Sequence, residues 1–268
     1  MSTLKKQRYF LQSLAKGLSA LQHLADVGYP LTLSELAKGI GTTNATATRI
    51  CFTLTKTGLI RRDKEKRYHL TPNILSLGYS AICAMKWREI ARYYLEFLFS
   101  EVKGNVNLAI LDGSEILYLI HIQKKVHLPM RVRIGSKLPV HSSSAGKVLM
   151  ALGPPKRIRP VLKRLEFRPL TPNTITNLDE FLHELEIVRK KGYAINHEET
   201  SMRVLAVGAP IMNKRNHAIA AINITVSTTD YTREELEETL APKVLRVAKQ
   251  ISEALHQVEA DIIMPDTI

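Results

Sequence analysis

The sequence is poor in cysteine, with two in 268 residues. Cys51 and Cys83 do not belong to a Cys-x-x-Cys pair, and the nine histidines have no paired metal-ligand spacing. Neither a metal nor another cofactor is therefore indicated. Because both cysteines lie among apolar residues, we expect them to be buried as small hydrophobic side chains of a protein in a reducing compartment.

Long apolar runs are missing as well. No uninterrupted apolar stretch reaches the roughly 18 residues that a membrane-spanning helix needs. The N-terminal stretch MSTLKKQRYF lacks the apolar run of a signal peptide. These absences favour a cytoplasmic protein with no membrane partner.

Acidic residues are few in the first third of the chain. The whole sequence carries 38 Lys and Arg against 25 Asp and Glu, a formal charge of +13. Up to residue 90 the counts are 14 against 5, whereas the remainder has 24 against 20. A generally basic protein would spread this charge evenly. Its concentration predicts that an N-terminal domain binds an anionic polymer.

A pair of short helices is predicted over residues 34–57, in the basic part of the chain. Ser34 can cap the first helix, and Gly41 tolerates the left-handed backbone that would end it. Thr43 or Asn44 can cap the second helix. The predicted apolar face of the second helix consists of Ala47, Ile50, Leu54 and part of Phe52.

The opposite side of the second helix carries side chains suited to DNA. They are short hydrogen-bonding groups and one arginine: Asn44, Thr46, Thr48, Arg49 and Thr53. Such groups bind base edges and phosphates. Two strand-like runs follow, Leu59–Arg62 and Arg67–Leu70, joined by a charged turn. This order predicts a winged helix–turn–helix; the alternative is a small helical hairpin packed within another kind of domain.

Helical spacing continues on both sides of this segment. A helix is predicted from Phe10 to Val27 with a cap near Ser13, and Thr71–Pro72 marks another helix start. The apolar residues that should then pack back on the wing are Ile74, Leu75 and Leu77. Residues 79–103 predict one long helix, whose apolar side comprises Ile82, Trp87, Ile90, Tyr94, Leu95, Leu98 and Val102. It is suited to link two domains and to contact a second copy, but it also fits an ordinary core helix.

Alternation with period two begins at Asn105. The runs VNLAILDG and EILYLIHIQ predict a hairpin around Asp112–Gly113. Further strands are predicted for HLPMRVRIG, VLAVGAPIM and HAIAAINITVS. Helices are predicted at His141–Leu152, Asn177–Lys191 and Glu234–Gln257. Antiparallel strands with flanking helices make this an α+β domain.

A cluster of hydroxyl groups is the main candidate for small-molecule recognition. His141 is followed by Ser142, Ser143 and Ser144 at a predicted helix start. Free backbone N–H groups and the positive end of the helix dipole suit a carboxylate or phosphate there. Since one serine would satisfy simple capping, both capping and ligand recognition remain open. Asn223 lies in a predicted strand and would line a polar pocket if it occupies the inner face.

Enzyme chemistry has a weaker candidate. Ser144 and Lys147 fit the Ser-x-x-Lys pattern of a nucleophile and its base, but the Ser-Asp-Asn and Lys-Thr-Gly partners of that pattern are absent. His197, Glu198 and Glu199 could hold a metal, yet a solvated acidic loop is the simpler interpretation. The sequence therefore predicts no catalytic residues and no metal site.

Taken in order, these segments resemble the IclR family of bacterial transcription regulators. The similarity covers about residues 10–257 and rests on SELAKGIG, TLTKTGLIRRD, RYHLTPNILSLG, IGSKLPVHSSSAGKVLMA, LTPNTIT, VRKKGYAINHEE, and APIM followed by AINI. It implies a winged helix–turn–helix at residues 1–78, a linker and dimerisation helix at 79–104 and a GAF-like effector domain at 105–268. It also implies a homodimer or homotetramer that binds double-stranded operator DNA and responds to a small organic acid.

The resemblance also implies particular site residues. The DNA-binding surface would comprise Ser34, Asn44, Ala45, Thr46, Thr48 and Arg49, with Arg62, Lys66 and Arg67 on the wing. The effector pocket would comprise His141, Ser142, Ser143, Ser144, Ala145, Glu199, Leu205 and Asn223. Two other functions stay open: a structural DNA-binding protein without a ligand, and a hydrolase that uses Ser144 and Lys147.

Overall fold

The computed structural model describes residues 9–124, 128–130 and 132–257. Within these ranges the chain divides into two units between Ala84 and Met85. No helix of the described residues is long and apolar enough to cross a membrane.

The N-terminal unit is a helix–turn–helix followed by a hairpin and a further helix. Its elements are α1 (Gln12–Val27), α2 (Leu33–Gly39), α3 (Asn44–Lys56), β1 (Ile60–Arg62), β2 (Tyr68–Leu70) and α4 (Asn73–Cys83). Leu31 and Tyr68 exchange backbone hydrogen bonds of 3.2 and 2.7 Å, which fix the hairpin to the segment before α2. The predicted winged helix–turn–helix is confirmed.

Threonines, not serines, begin the two short helices. Thr32 caps α2 in a capping box: it accepts from the Glu35 amide, and the Glu35 carboxylate accepts from the Thr32 amide at 2.7 Å. The prediction that Ser34 caps this helix is wrong, because the box two residues earlier already satisfies the helix start. Thr43 caps α3, which confirms one of the two caps predicted for this helix. The cap near Ser13 is also wrong, since α1 begins at Gln12 without a side-chain cap.

Several apolar side chains of this unit lie at the surface, contrary to prediction. Phe52 is 63% exposed because Cys51, one position earlier on α3, takes the buried site. Cys83 is exposed, so only Cys51 follows the prediction for the cysteines. No residue of α4 is buried, and Leu75 and Leu77 are exposed instead of packing on the wing.

The C-terminal unit is a curled antiparallel sheet with helices on both faces. Its elements are α5 (Trp87–Ser100), β3 (Asn105–Asp112), β4 (Glu115–Ile122), β5 (Lys137–Pro139), α6 (Ser144–Leu152), α7 (Pro155–Leu162), α8 (Leu178–Lys191), β6 (Ala194–His197), β7 (Val204–Met212), β8 (Ala218–Ser227), α9 (Arg233–Glu235), a π-helical turn (Leu236–Leu240) and α10 (Ala241–Gln257). The strand order is β5-β4-β3-β8-β7-β6. The predicted α+β class is confirmed.

Two hydrophobic cores cover the two faces of this sheet. One contains Leu108, Leu205, Val207 and Ile222 from the strands, packed with α5 and α10. The other contains Ala109 and Ala221, packed with α6, α7 and α8. Successive strand residues point to opposite faces. The residues that therefore face α6 are Asn107, Gly208, Asn223 and Thr225.

Three elements differ from the sequence-based expectation. Residues 79–103 are not one helix, because the α-helix is interrupted at residues 84–86; the next helix then buries Trp87 and Arg88. The described residues of the run HLPMRVRIG are not in a strand; the strand here is β5, which begins after them. In contrast, β6 replaces part of the expected acidic loop, because it completes the sheet beside β7.

Candidate DNA-binding surface and effector site

The outer face of α3 carries the residues predicted to contact DNA. Asn44, Ala45, Thr48 and Arg49 are exposed, and Thr46 is partly buried beside the cap. The hydroxyl group of Thr48 donates to the Asn44 carbonyl at 2.8 Å, so its oxygen can still accept from an amino group of a DNA base. Ser34 is exposed on α2. The buried side of α3 leaves this polar face free for a groove of duplex DNA.

The turn of the wing is organised by Asp63. Its carboxylate accepts from the Arg67 amide at 2.8 Å and lies 2.5 Å from the His69 ring. The hydrogen bond from the His69 ring has the largest effect and that from the Arg67 amide the next; together they hold the pKa of Asp63 below its usual range. Lys66 is exposed with a left-handed φ of 64°, and Arg62 is exposed. The wing therefore presents both cations to solvent, and the Arg62 guanidinium lies over the Tyr68 ring, 5.7 Å from its centroid.

Arg67 differs from the other two predicted wing residues. Its side chain is partly buried, and one guanidinium nitrogen donates to the Pro30 carbonyl at 3.3 Å. This contact fastens the wing to the segment before α2. Arg67 thus has a structural role in holding the wing in place.

The start of α6 buries the cluster of His141, Ser142, Ser143, Ser144 and Ala145. Ser143 caps the helix, with its hydroxyl group accepting from the Gly146 amide at 3.1 Å and donating to the Pro139 carbonyl at 3.0 Å. The Ser142 hydroxyl also donates to Pro139, at 3.4 Å. Capping is therefore the role of Ser143, and it leaves Ser144 for another purpose.

Four buried side-chain atoms have no hydrogen-bond partner in the described structure. They are His141 Nδ1, Ser144 Oγ, Glu199 Oε2 and Asn223 Oδ1. Leaving one such group unsatisfied costs about 1–3 kcal/mol. Buried polar groups are otherwise nearly always paired. All four atoms belong to residues predicted for the effector pocket.

Close packing brings two of these residues together. A Cβ atom on Gly208 would lie 3.0 Å from the Ser144 carbonyl carbon, so the start of α6 rests directly on β7. Gly208 pairs with Asn223 on the neighbouring strand. A side chain at this position would push the start of α6 away by a few tenths of an ångström, so glycine favours the approach that sets Ser144 beside the sheet position of Asn223.

A hydrogen-bonded row across β4, β3 and β8 orients Asn223. The Nδ2 groups of Asn223 and Asn107 both donate to Thr225 Oγ1, at 3.0 and 3.3 Å. The Oδ1 atom of Asn107 is an acceptor, so His121 Nδ1, at 2.6 Å, must carry a proton. With Nδ2 engaged, the unpaired end of Asn223 is its carbonyl oxygen, an acceptor. Sequence inspection missed Asn107 and His121, which are far from Asn223 in the chain.

Lys147 connects the helix to the loop after β6. Its ammonium group donates to Glu199 at 2.6 Å, to the Ile195 carbonyl at 2.9 Å and to Glu184 at 3.0 Å. Burial raises the pKa of Glu199, and the Lys147 charge opposes that rise. Burial also lowers the pKa of His141, which favours the neutral ring. Sequence inspection missed Glu184, which is separated from Lys147 by 37 positions.

The placement of Leu205 contradicts its predicted role. Its side chain lies in the core with α5 and α10, on the sheet face opposite α6. The prediction failed because alternation along β7 sends Leu205 away from Gly208 and Ser144. Leu205 is therefore removed from the candidate pocket. Among the described residues, no group of three His, Cys, Asp or Glu side chains could hold a metal ion.

Two family models match the chain. The model described as "Bacterial transcriptional regulator IclR C-terminal" matches residues 79–253, and the one described as "IclR helix-turn-helix domain" matches residues 13–64. A glycerol operon regulatory protein of Streptomyces coelicolor is 30% identical over 91% of this chain and 96% of its own length. These matches cover both units.

Solved structures agree with the fold. The Thermotoga maritima IclR has a TM-score of 0.71 and 29% identity, covering 92% of this chain and 99% of that one. An IclR homologue from Microbacterium hydrocarbonoxydans, solved with 4-hydroxybenzoate, has a TM-score of 0.76 and 21% identity, covering 91% of this chain and 99% of that one.

Fold and comparisons together define a DNA-binding transcriptional regulator, in which a winged helix–turn–helix precedes a separate effector-binding domain. The chain belongs to the IclR family of bacterial transcriptional regulators.

Proposed function

We propose that this regulator responds to a small organic acid that also carries a hydroxyl group, bound beside the start of α6. The observation that carries the proposal is the set of four unpaired buried atoms at His141, Ser144, Glu199 and Asn223. They require a partner, and a small ligand would supply it.

The free atoms favour a ligand that donates hydrogen bonds. Asn223 Oδ1 and Glu199 Oε2 are acceptors. His141 Nε2 faces the Arg168 carbonyl at 3.2 Å and so carries the proton, which makes Nδ1 of the neutral ring an acceptor too. Hydroxyl groups are the natural donors to such a set. A simple apolar acid would leave these acceptors unsatisfied.

The helix start favours an acidic group on the same ligand. The first N–H groups of α6 and the positive end of its dipole attract a carboxylate. Ser144 Oγ–H adds a donor at this end. The 4-hydroxybenzoate bound to the Microbacterium homologue carries both a carboxylate and a hydroxyl group. A hydroxy acid of that general kind satisfies both halves of the proposed site.

Ser144→Ala and Ser143→Ala should have opposite effects on stability. Removing the unpaired Ser144 hydroxyl deletes an uncompensated buried group, so unfolding free energy should stay constant or rise. Removing the Ser143 cap should cost about 1 kcal/mol. Denaturant unfolding of the full chain measures both. A loss of stability in Ser144→Ala as large as in Ser143→Ala would contradict the assignment of Ser144 to ligand binding.

The ligand class can be tested by thermal shift with matched pairs of compounds. 4-Hydroxybenzoate with benzoate, and lactate with propionate, differ only in a hydroxyl group. The hydroxylated member of at least one pair should stabilise the full chain more, and Asn223→Leu should abolish that preference. Stabilisation only by benzoate and propionate, the members without a hydroxyl group, would contradict the proposal.

We also propose that the chain is not an enzyme. The three N–H donors of Lys147 have three acceptors, two of them carboxylates, so the amine is held as a charged ammonium. An ammonium group cannot accept a proton from Ser144. Hydrolysis of a simple ester by wild type, lost in Ser144→Ala, would overturn this proposal.

DNA contact through α3 and the wing, in a dimer or tetramer, completes the proposed function. Asn44, Ala45, Thr46, Thr48 and Arg49 would meet base edges and phosphates, while Arg62 and Lys66 would meet phosphates. An exposed apolar stripe at the start of α1 (Leu14 and Leu18, with Leu11 just before the helix) is suited to a second copy. The cytoplasm is the expected site of action, since operator DNA lies there. A mass of 30.2 kDa by light scattering, that of one chain, would contradict the dimer.

A further inference from the structure

The C-terminal unit contains a segment with an unusual local charge. Residues 154–165 carry five cations and no acid: Lys156, Arg157, Arg159, Lys163 and Arg164. The segment forms α7 and the turn after it. Neither effector binding nor DNA reading by α3 uses any of these residues.

The fold aligns three of these cations on one side of α7. Ile158 is buried, and Val161 and Leu162 pack against the core on the same side of the sheet as α6. Lys156, Arg159 and Lys163 are spaced by three and four residues, so they share the opposite, exposed side. None of the three forms an ion pair with an acid in the described ranges of the chain, which leaves their charges available.

Helix stability does not account for this charge pattern. Cations are favourable near a helix C-terminus, which suits Arg159 and Lys163. Lys156 lies in the first turn of α7, where the dipole disfavours a cation and where no acidic residue is present. Neighbouring like charges on one helix side add mutual repulsion. An external anion would relieve both costs.

We propose that the exposed side of α7 binds the phosphate backbone of duplex DNA as a second, sequence-independent contact of this regulator. The family function already brings the chain onto DNA, and a row of exposed Lys and Arg without aromatic neighbours fits phosphates. A protein-binding surface would be expected to offer Tyr, Trp or Phe anchors, and the exposed side of α7 has none.

Salt dependence of binding to random-sequence DNA tests this contact directly. Each phosphate contact contributes about 0.9 to the slope of log affinity against log salt concentration. The full-length triple variant Lys156→Gln, Arg159→Gln and Lys163→Gln should therefore have a slope shallower by about 2.7, if all three cations contact phosphates. The matched control removes three exposed cations elsewhere on the same unit: Lys190→Gln, Lys214→Gln and Arg215→Gln.

Fluorescence anisotropy with a long labelled duplex, between about 50 and 200 mM salt, gives the slopes of wild type, triple variant and control. The proposal predicts a shallower slope for the triple variant only, with unchanged thermal unfolding of all three proteins. Equal slopes for the triple variant and the control overturn it, and would leave an acidic protein as the partner to examine. Absence of salt-dependent binding of wild type to this random duplex would also overturn the proposal, whereas selection of a specific DNA site tests the regulator function separately.

Discussion

Replacing Lys147 with methionine is expected to cost the C-terminal unit about 3–5 kcal/mol of unfolding free energy. Lys147 is 1% exposed, and its loss leaves the Glu199 carboxylate, which is 6% exposed, buried without a positively charged partner. A buried charge without its partner is among the largest single-residue penalties known for folded proteins. Denaturant unfolding followed by far-ultraviolet circular dichroism measures the loss.

The penalty should depend on pH in a defined direction. Burial already raises the pKa of Glu199, and Lys147 opposes that rise. Without Lys147 the folded state would bind a proton more tightly than the unfolded state, whose carboxyl has its ordinary pKa of about 4.3. Stability of the variant should therefore fall as pH rises above that value. A penalty that is smaller at pH 8 than at pH 5 would contradict this account.

Two further variants identify the cause of the Lys147→Met effect. Glu184→Gln should cost much less, because the Glu184 side chain is 24% exposed and Lys147 keeps its closer partner Glu199. Adding Glu199→Gln to Lys147→Met should recover a large part of the lost unfolding free energy, since the double variant has no unpaired buried charge. Absence of recovery would show that lost packing, not charge, explains the penalty.

Arg49→Ala is expected to weaken binding to a specific DNA site by about 1–3 kcal/mol for each copy of α3 that contacts the DNA. Arg49 is exposed on the outer face of α3, while Ala47, Ile50, Cys51 and Leu54 hold the helix in its unit. The fold should therefore be unaffected. Fluorescence anisotropy measures the affinity for a duplex that the wild-type protein selects from a random pool, and thermal unfolding measures the stability of the fold.

Arg92→Ala is the charge-matched control for Arg49→Ala. Arg92 is an exposed arginine that pairs with Glu96 at 2.9 Å on α5, so its removal changes the net charge by the same amount. Its effect on specific binding should be small. Equal effects of the two substitutions would mean that Arg49 acts only through the overall charge of the protein.

Local patterns in the sequence were sufficient for much of the fold. Short-range periodicity predicted α3, the wing, the hairpin around Gly113 and the last two strands, because each depends on neighbours within a few residues. The break at residues 84–86 was not visible, since apolar spacing continues through it. The short strand β6 was also missed, because its pairing with β7 is tertiary.

The candidate effector site was predictable only in part. The serine cluster and Asn223 stood out by residue type, but the partners that orient them are distant in sequence: Asn107 is 118 positions from Thr225, and Glu199 is 52 from Lys147. Nor could the sequence distinguish Ser143, which caps α6, from Ser144, which has no partner. Leu205 was assigned to the wrong face because its neighbours in sequence do not reveal which side of β7 meets α6.

The central claim is that the N-terminal unit reads a particular DNA sequence. Repeated selection from a random duplex pool by the full-length protein at physiological salt tests it most directly. The account predicts enrichment of one motif, in two half-sites about one helical turn or a multiple apart, and loss of that enrichment with Arg49→Ala. Retention of all sequences with equal affinity would contradict the claim and favour a structural DNA-binding protein.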